Sequence, residues 1–127
     1  MKPERKWIED WLIGLDPARE RKVSTGFVSL FADFWKTQAL DDKAKTTRNR
    51  YSAALHAIGG YLVEQAISED GKNKTCYELV AEHIGPYDGP FIHHDNELWQ
   101  DEVDMVSRKL YKYMKNNAEW NRNQIDF

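Results

Sequence analysis

The residues best equipped for chemistry in this chain are His93, His94 and Asp95, three consecutive side chains in a stretch marked by Gly85-Pro86 and Gly89-Pro90. Imidazoles and a carboxylate are competent metal ligands, and an imidazole is also the common general base of hydrolases. Adjacent histidines in a loop rarely both reach one ion, so a metal site needs further ligands. His83, Asp88, Glu97 and Asp101 are the nearest supply in sequence. The spacing H-x-x-x-H, which places two imidazoles on one helix face, is absent. The plain alternative is a loop histidine pair beside a helix start, with Asp95 serving as N-cap.

Glu97, Asp101 and Asp104 fall at i, i+4 and i+7 on one side of a helix. Paired carboxylates can do acid–base or two-metal work. The Glu-x-x-His spacing of di-iron bundles is missing. Asp104 stands four residues before Arg108, the arrangement of an ion pair on a solvated face. Cys76 opens a helix, where the dipole lowers a thiol pKa. No base or oxyanion donor stands beside it in sequence, and it reads as a buried structural thiol. Gly59-Gly60 lacks the preceding strand and the third glycine of a phosphate loop. It reads as a point where another helix approaches closely.

A third candidate is basic. Lys43, Lys45, Arg48 and Arg50 gather where a helix begins, with Thr46, Thr47 and Asn49 among them. Cations at a helix N-terminus oppose its dipole. Free N–H groups, hydroxyls and cations together suit an anion, such as a phosphate of a nucleic-acid backbone. The alternative is an ordinary basic turn offset by Asp41 and Asp42.

The elements that must position these groups are helices. At 127 residues the chain fits one domain. Seven glycines and four prolines argue for long regular elements rather than a loop-rich β fold. Trp7, Ile8, Trp11 and Leu12 predict a first helix from Pro3 to about Ile13. Asp16-Pro17 starts a second, running to about Leu40, which Ser24-Thr25-Gly26 could interrupt. Its aromatic face is Phe27, Leu30, Phe31, Phe34 and Trp35. The third spans about Thr46 to Ile67, capped by Thr46 or Thr47. Thr75-Cys76-Tyr77-Glu78 matches the capping box of a fourth. The fifth runs from about Asp95 to Lys115, with Asp95 or Asn96 as cap. Its seam is Trp99, Val103, Val106, Leu110 and Tyr113. Residues 116–127 read as a loose polar tail apart from Trp120. The expected fold is all-α, a single-domain bundle of about five helices.

Net charge is −3. Residues 1–68 hold 11 Lys/Arg against 9 Asp/Glu, and residues 69–127 hold 7 against 12. A surface that is a nucleic-acid footprint throughout is excluded. One cysteine admits no intrachain disulfide and no thiolate zinc site, so no cofactor is expected and a reducing, cytoplasmic setting is. No apolar run approaches the length of a membrane span.

Thr47, Tyr51, Leu55 and Ile58, following the aromatic face at 27–35, resemble the N-terminal core-binding helical domain of phage-integrase-type tyrosine recombinases. The resemblance covers about residues 27–66, with Ala44 where that family usually carries a serine. It implies DNA clamping, with Lys45, Thr47, Arg48 and Arg50 turned toward phosphates. No stretch resembles the family's catalytic domain, so strand exchange is not expected. The leading functional expectation is a small non-enzymatic binding or adaptor domain. Its partner is a protein, a second copy included, or a nucleic-acid backbone. The alternative is a metal-binding protein or hydrolase built on His93, His94 and Asp95.

Overall fold

The apolar residues Phe27, Leu30, Phe31, Phe34 and Trp35 are buried in the core. Their steps of three, one, three and one put them on one face of a helix. The computed structural model describes residues 2–117. Among these the chain forms α1 (Lys6–Asp10), α2 (Pro17–Thr37), a 3-10 turn (Leu40–Asp42), α3 (Lys45–Ala66), α4 (Cys76–His83) and α5 (Glu97–Asn116). The fold is all-α, as expected, with α3 packed against α2, α4 and α5 and with α1 resting on α2. Asn116, expected in the tail, is the last residue of α5. Residues 118–127, Trp120 among them, lie outside the described residues.

α2 is not interrupted at Ser24-Thr25-Gly26. Ser24 and Gly26 are buried between Val23 and Phe27, and the Thr25 hydroxyl donates to the Arg21 carbonyl at 2.7 Å. Burial of the flanking apolar groups outweighs the roughly 1 kcal/mol that one helical glycine costs. α1 is shorter than the periodicity predicts, and Trp11 stands at its C-terminal cap.

Two side chains tie the ends of α2 and α3 to their loops. Glu20, fully buried, accepts the N–H groups of Ile13, Gly14, Leu15 and Asp16 at 2.6–2.9 Å. Gly14 adopts φ +94°, the left-handed region, and so lets that loop curl around the carboxylate. Burial pushes the Glu20 carboxyl up, but the four donors together hold it below its ordinary range. The Arg19 guanidinium donates to the carbonyls of Ala66, Gly71 and Lys74, which caps the end of α3 and fixes the loop after it.

The glycine pair in α3 packs against a side chain rather than a second helix backbone. The Trp11 indole lies over Gly59, and its Nε1–H donates to the His56 carbonyl at 3.0 Å. A Cβ at position 59 would overlap the six-membered ring of that indole.

Candidate functional site

α5 begins with a side-chain cap, and Asn96 rather than Asp95 supplies it, accepting from Trp99 N–H at 3.1 Å. From this start, a polar stripe at Gln100, Asp104 and Arg108 runs along the helix at four-residue steps. Each member holds the backbone of the loop that precedes α5. The Gln100 Oε1 accepts from the N–H groups of Ile92 and His93, both at 2.9 Å, and its Nε2 donates to the Pro90 carbonyl at 2.9 Å. Asp104 accepts from Gly89 N–H at 3.1 Å and from Gln100 Nε2 at 3.0 Å. Arg108 donates to the Tyr87 carbonyl at 3.1 Å. The expected Asp104–Arg108 ion pair does not form among the described residues, since both side chains are committed to the loop. Gly89 permits this strapping, because a Cβ there would overlap the Ser107 hydroxyl.

The strapped loop and the first turn of α5 hold large apolar side chains in solvent. Tyr87 is 81% exposed, Phe91 61%, Leu98 75% and Trp99 58%. Trp99 is therefore the one member of the α5 seam that stands in solvent. Val103, Val106, Leu110 and Tyr113 are buried against the rest of the bundle and are unavailable to a helical partner. Beside Trp99, α3 presents Ala53 and Ala54 together with Thr46, Asn49 and Arg50. The space left is a groove of about 440 Å³. Thr46, Asn49 and Arg50 of α3 form one wall, and Trp99, Glu102 and Val103 of α5 form the other, with His93 contributing from the loop.

The fold thus brings Thr46, Asn49 and Arg50 of the basic stretch and His93 of the histidine pair to the same groove. A second hollow, which shares His93 with this groove, is lined by His93, His94, Asp95, Glu97 and Asp101 together. His93 packs edge-on to Trp99 with ring centroids 5.4 Å apart, and His94 packs on Phe91 at 4.3 Å. Both imidazole rings stack on aromatics. Among the described residues no group of three His, Cys, Asp or Glu side chains is placed to hold a metal ion. Of the candidate phosphate contacts, Lys43, Lys45 and Arg50 are exposed, while Thr47 and Arg48 are half-buried. Arg48 donates to the Lys43 carbonyl at 2.7 Å and so closes the turn before α3. Neither Thr46 nor Thr47 caps α3. The N-cap is Ala44, with no side-chain hydrogen bond and no acidic residue in the first turn. Cys76 is buried behind α2, its Sγ donating to the Val23 carbonyl at 3.5 Å. Burial pushes that thiol up to about 12, which leaves no thiolate for nucleophilic work.

The strap of Gln100, Asp104 and Arg108 is absent from the sequence-based expectations. Its signal was present as three polar residues at i, i+4 and i+8 on a single helix face. Among the described residues no helix is long and apolar enough to cross a membrane. No protein-family model matches this chain, and no curated protein or solved structure matches it either.

Proposed function

We propose that this protein is a non-enzymatic binding domain whose working surface is the strapped loop, the first turn of α5 and the groove beside them. One observation carries the reading. The fold immobilises Phe91, Leu98 and Trp99 in water, using five hydrogen bonds from α5 to hold the loop in place. Each apolar side chain kept exposed forgoes roughly 1.5–3 kcal/mol of burial. Preorganised aromatic anchors beside an arginine are the composition of a protein-binding hot spot. A rigid loop also reduces the ordering cost of association.

The partner is accordingly a protein. A photo-reactive amino acid at position 98 tests this in an extract of the source cells. Covalent protein adducts that disappear in the Trp99→Ala background support the proposal. Absence of any adduct counts against it.

The second reading, nucleic-acid contact through Lys43, Lys45, Thr47, Arg48 and Arg50, draws on a different observation. Among the described residues, exposed Lys43, Lys45 and Arg50 have no carboxylate partner. Counterion release makes such binding steeply salt-dependent. A gel shift with short duplex at low salt, lost on Lys45→Ala with Arg50→Ala, would favour it. Glu102 on the opposite wall of the groove opposes it.

A further inference from the structure

Resting on the reading of the Trp99 face as a protein-binding surface, we infer that its occupant is a second copy of this chain, docked about a two-fold axis parallel to the groove. The charges on the two walls carry the inference. From Lys43 to Arg50 the chain has four cations and no carboxylate. From Asp95 to Ser107 it has five carboxylates and no Lys or Arg. The fold packs α3 against α5, and of these charges Arg50 and Glu102 line the groove, Arg50 on the α3 wall and Glu102 on the α5 wall beside Trp99. Among the described residues no ion pair joins the walls. The groove carries one cation, Arg50, on one wall and one carboxylate, Glu102, on the other, with the apolar side chains of Ala53, Ala54, Trp99 and Val103 lining the rest.

A face of that design is complementary to itself. Rotation by half a turn about an axis in the interface plane, parallel to the groove, brings the α3 wall of one copy against the α5 wall of the other. The apolar linings then meet, and each Arg50 faces a Glu102 of its partner. An isologous contact requires this self-complementarity. The other occupants fit less well. A nucleic-acid backbone is repelled by the α5 wall, and a peptide of uniform charge is repelled by one wall or the other. Fixed apolar anchors flanked by complementary charge match the central and rim parts of a protein interface.

Sedimentation equilibrium of the full chain tests the proposal, using the wild type, Arg50→Glu, Glu102→Arg and an equimolar mixture of the two variants. Both positions lie at the surface of the groove, and circular dichroism checks that each variant remains helical. The wild type should rise with concentration from the mass of one chain toward that of two. Each variant alone sets two like-charge contacts in the symmetric interface and should associate at least roughly tenfold more weakly. The mixture should recover association, because both interface contacts then pair opposite charges, one in native and one in swapped order. Trp99→Ala should weaken association without altering its salt dependence.

A wild type that keeps the mass of one chain at every concentration overturns the inference. So does undiminished self-association of both charge variants. Photo-cross-linking from position 98 separates this failure from failure of the binding reading. Adducts to a different protein, with a monomeric wild type, overturn the second copy and leave the surface as a docking site. No adduct and no association overturn both.

Discussion

Gly59→Ala tests the packing at the centre of the bundle most directly. Alanine improves helix propensity over glycine by about 1 kcal/mol. At position 59, however, the new Cβ would overlap the Trp11 ring, lying 2.7 Å from Cε2 and closer to two further ring atoms. The indole cannot swing away freely. It is 4% exposed, packed edge-on against Trp7 at 5.8 Å and Phe31 at 6.2 Å, and tethered through Nε1 to the His56 carbonyl. Overpacking of this kind costs about 1–3 kcal/mol, and a broken hydrogen bond adds about 1 kcal/mol. Net of propensity, the variant should lose about 1–3 kcal/mol. For a domain of this size that lowers Tm by roughly 4–12 °C.

Gly60→Ala is the matched control. Its Cβ would stand 3.4 Å from Trp11 Cδ1, near ordinary contact. It should gain about 0.5–1 kcal/mol from propensity alone. Thermal and urea denaturation of both variants measures the difference. The Gly59→Ala penalty should shrink by about 1 kcal/mol in a Trp11→Phe background, where the smaller ring leaves room. If Gly59→Ala is as stable as Gly60→Ala, the account of the glycine pair is wrong.

Gln100→Ala should release the loop before α5. It strands the Ile92 and His93 N–H groups and costs about 1–3 kcal/mol, with faster hydrogen exchange at those two amides as the specific readout. Cys76, raised to about 12 by burial, should resist a thiol-specific reagent at pH 8 in the folded protein and react fully in denaturant. Rapid labelling of the native protein would contradict that placement. Glu20 is held below its ordinary 4.5 in the folded state. Its carboxylate therefore contributes stability that is present above that value and is lost as pH falls through the lower folded one. The urea midpoint should fall as pH drops below about 4.5, and Glu20→Gln should flatten that part of the profile. An unchanged profile in the variant would show that other carboxylates, such as Asp41 and Glu82, dominate acid unfolding.

The helices were readable from sequence because their causes are local. Asp16-Pro17 starts α2, and Asp16 accepts from Arg19 N–H as an N-cap should. Thr75 and Glu78 form the reciprocal capping box that their spacing predicts. The apolar steps Tyr51, Leu55, Ile58 and Leu62, and Val103, Val106 and Leu110, fall on faces that the bundle does bury or half-bury. Caps and periodicity depend on neighbours within one or two turns, so they are present in the sequence itself.

The surface that carries the proposed function was not legible in that way. Trp99 continues the buried seam in spacing, yet it stands in solvent. Whether a periodic residue is covered depends on what faces it, and here Trp99 borders an open groove whose other wall comes from α3, more than forty residues earlier in the chain. Gln100, Asp104 and Arg108 read as a solvated stripe until the loop at 87–93 folds back onto them. The length, spacing and capping of the helices followed from residue types alone. The placement of Arg50 on α3 and Glu102 on α5 on opposite walls of a groove with an exposed tryptophan came only from packing. Opposite charges so distant in sequence acquire a shared surface when burial of the core fixes the two helices side by side.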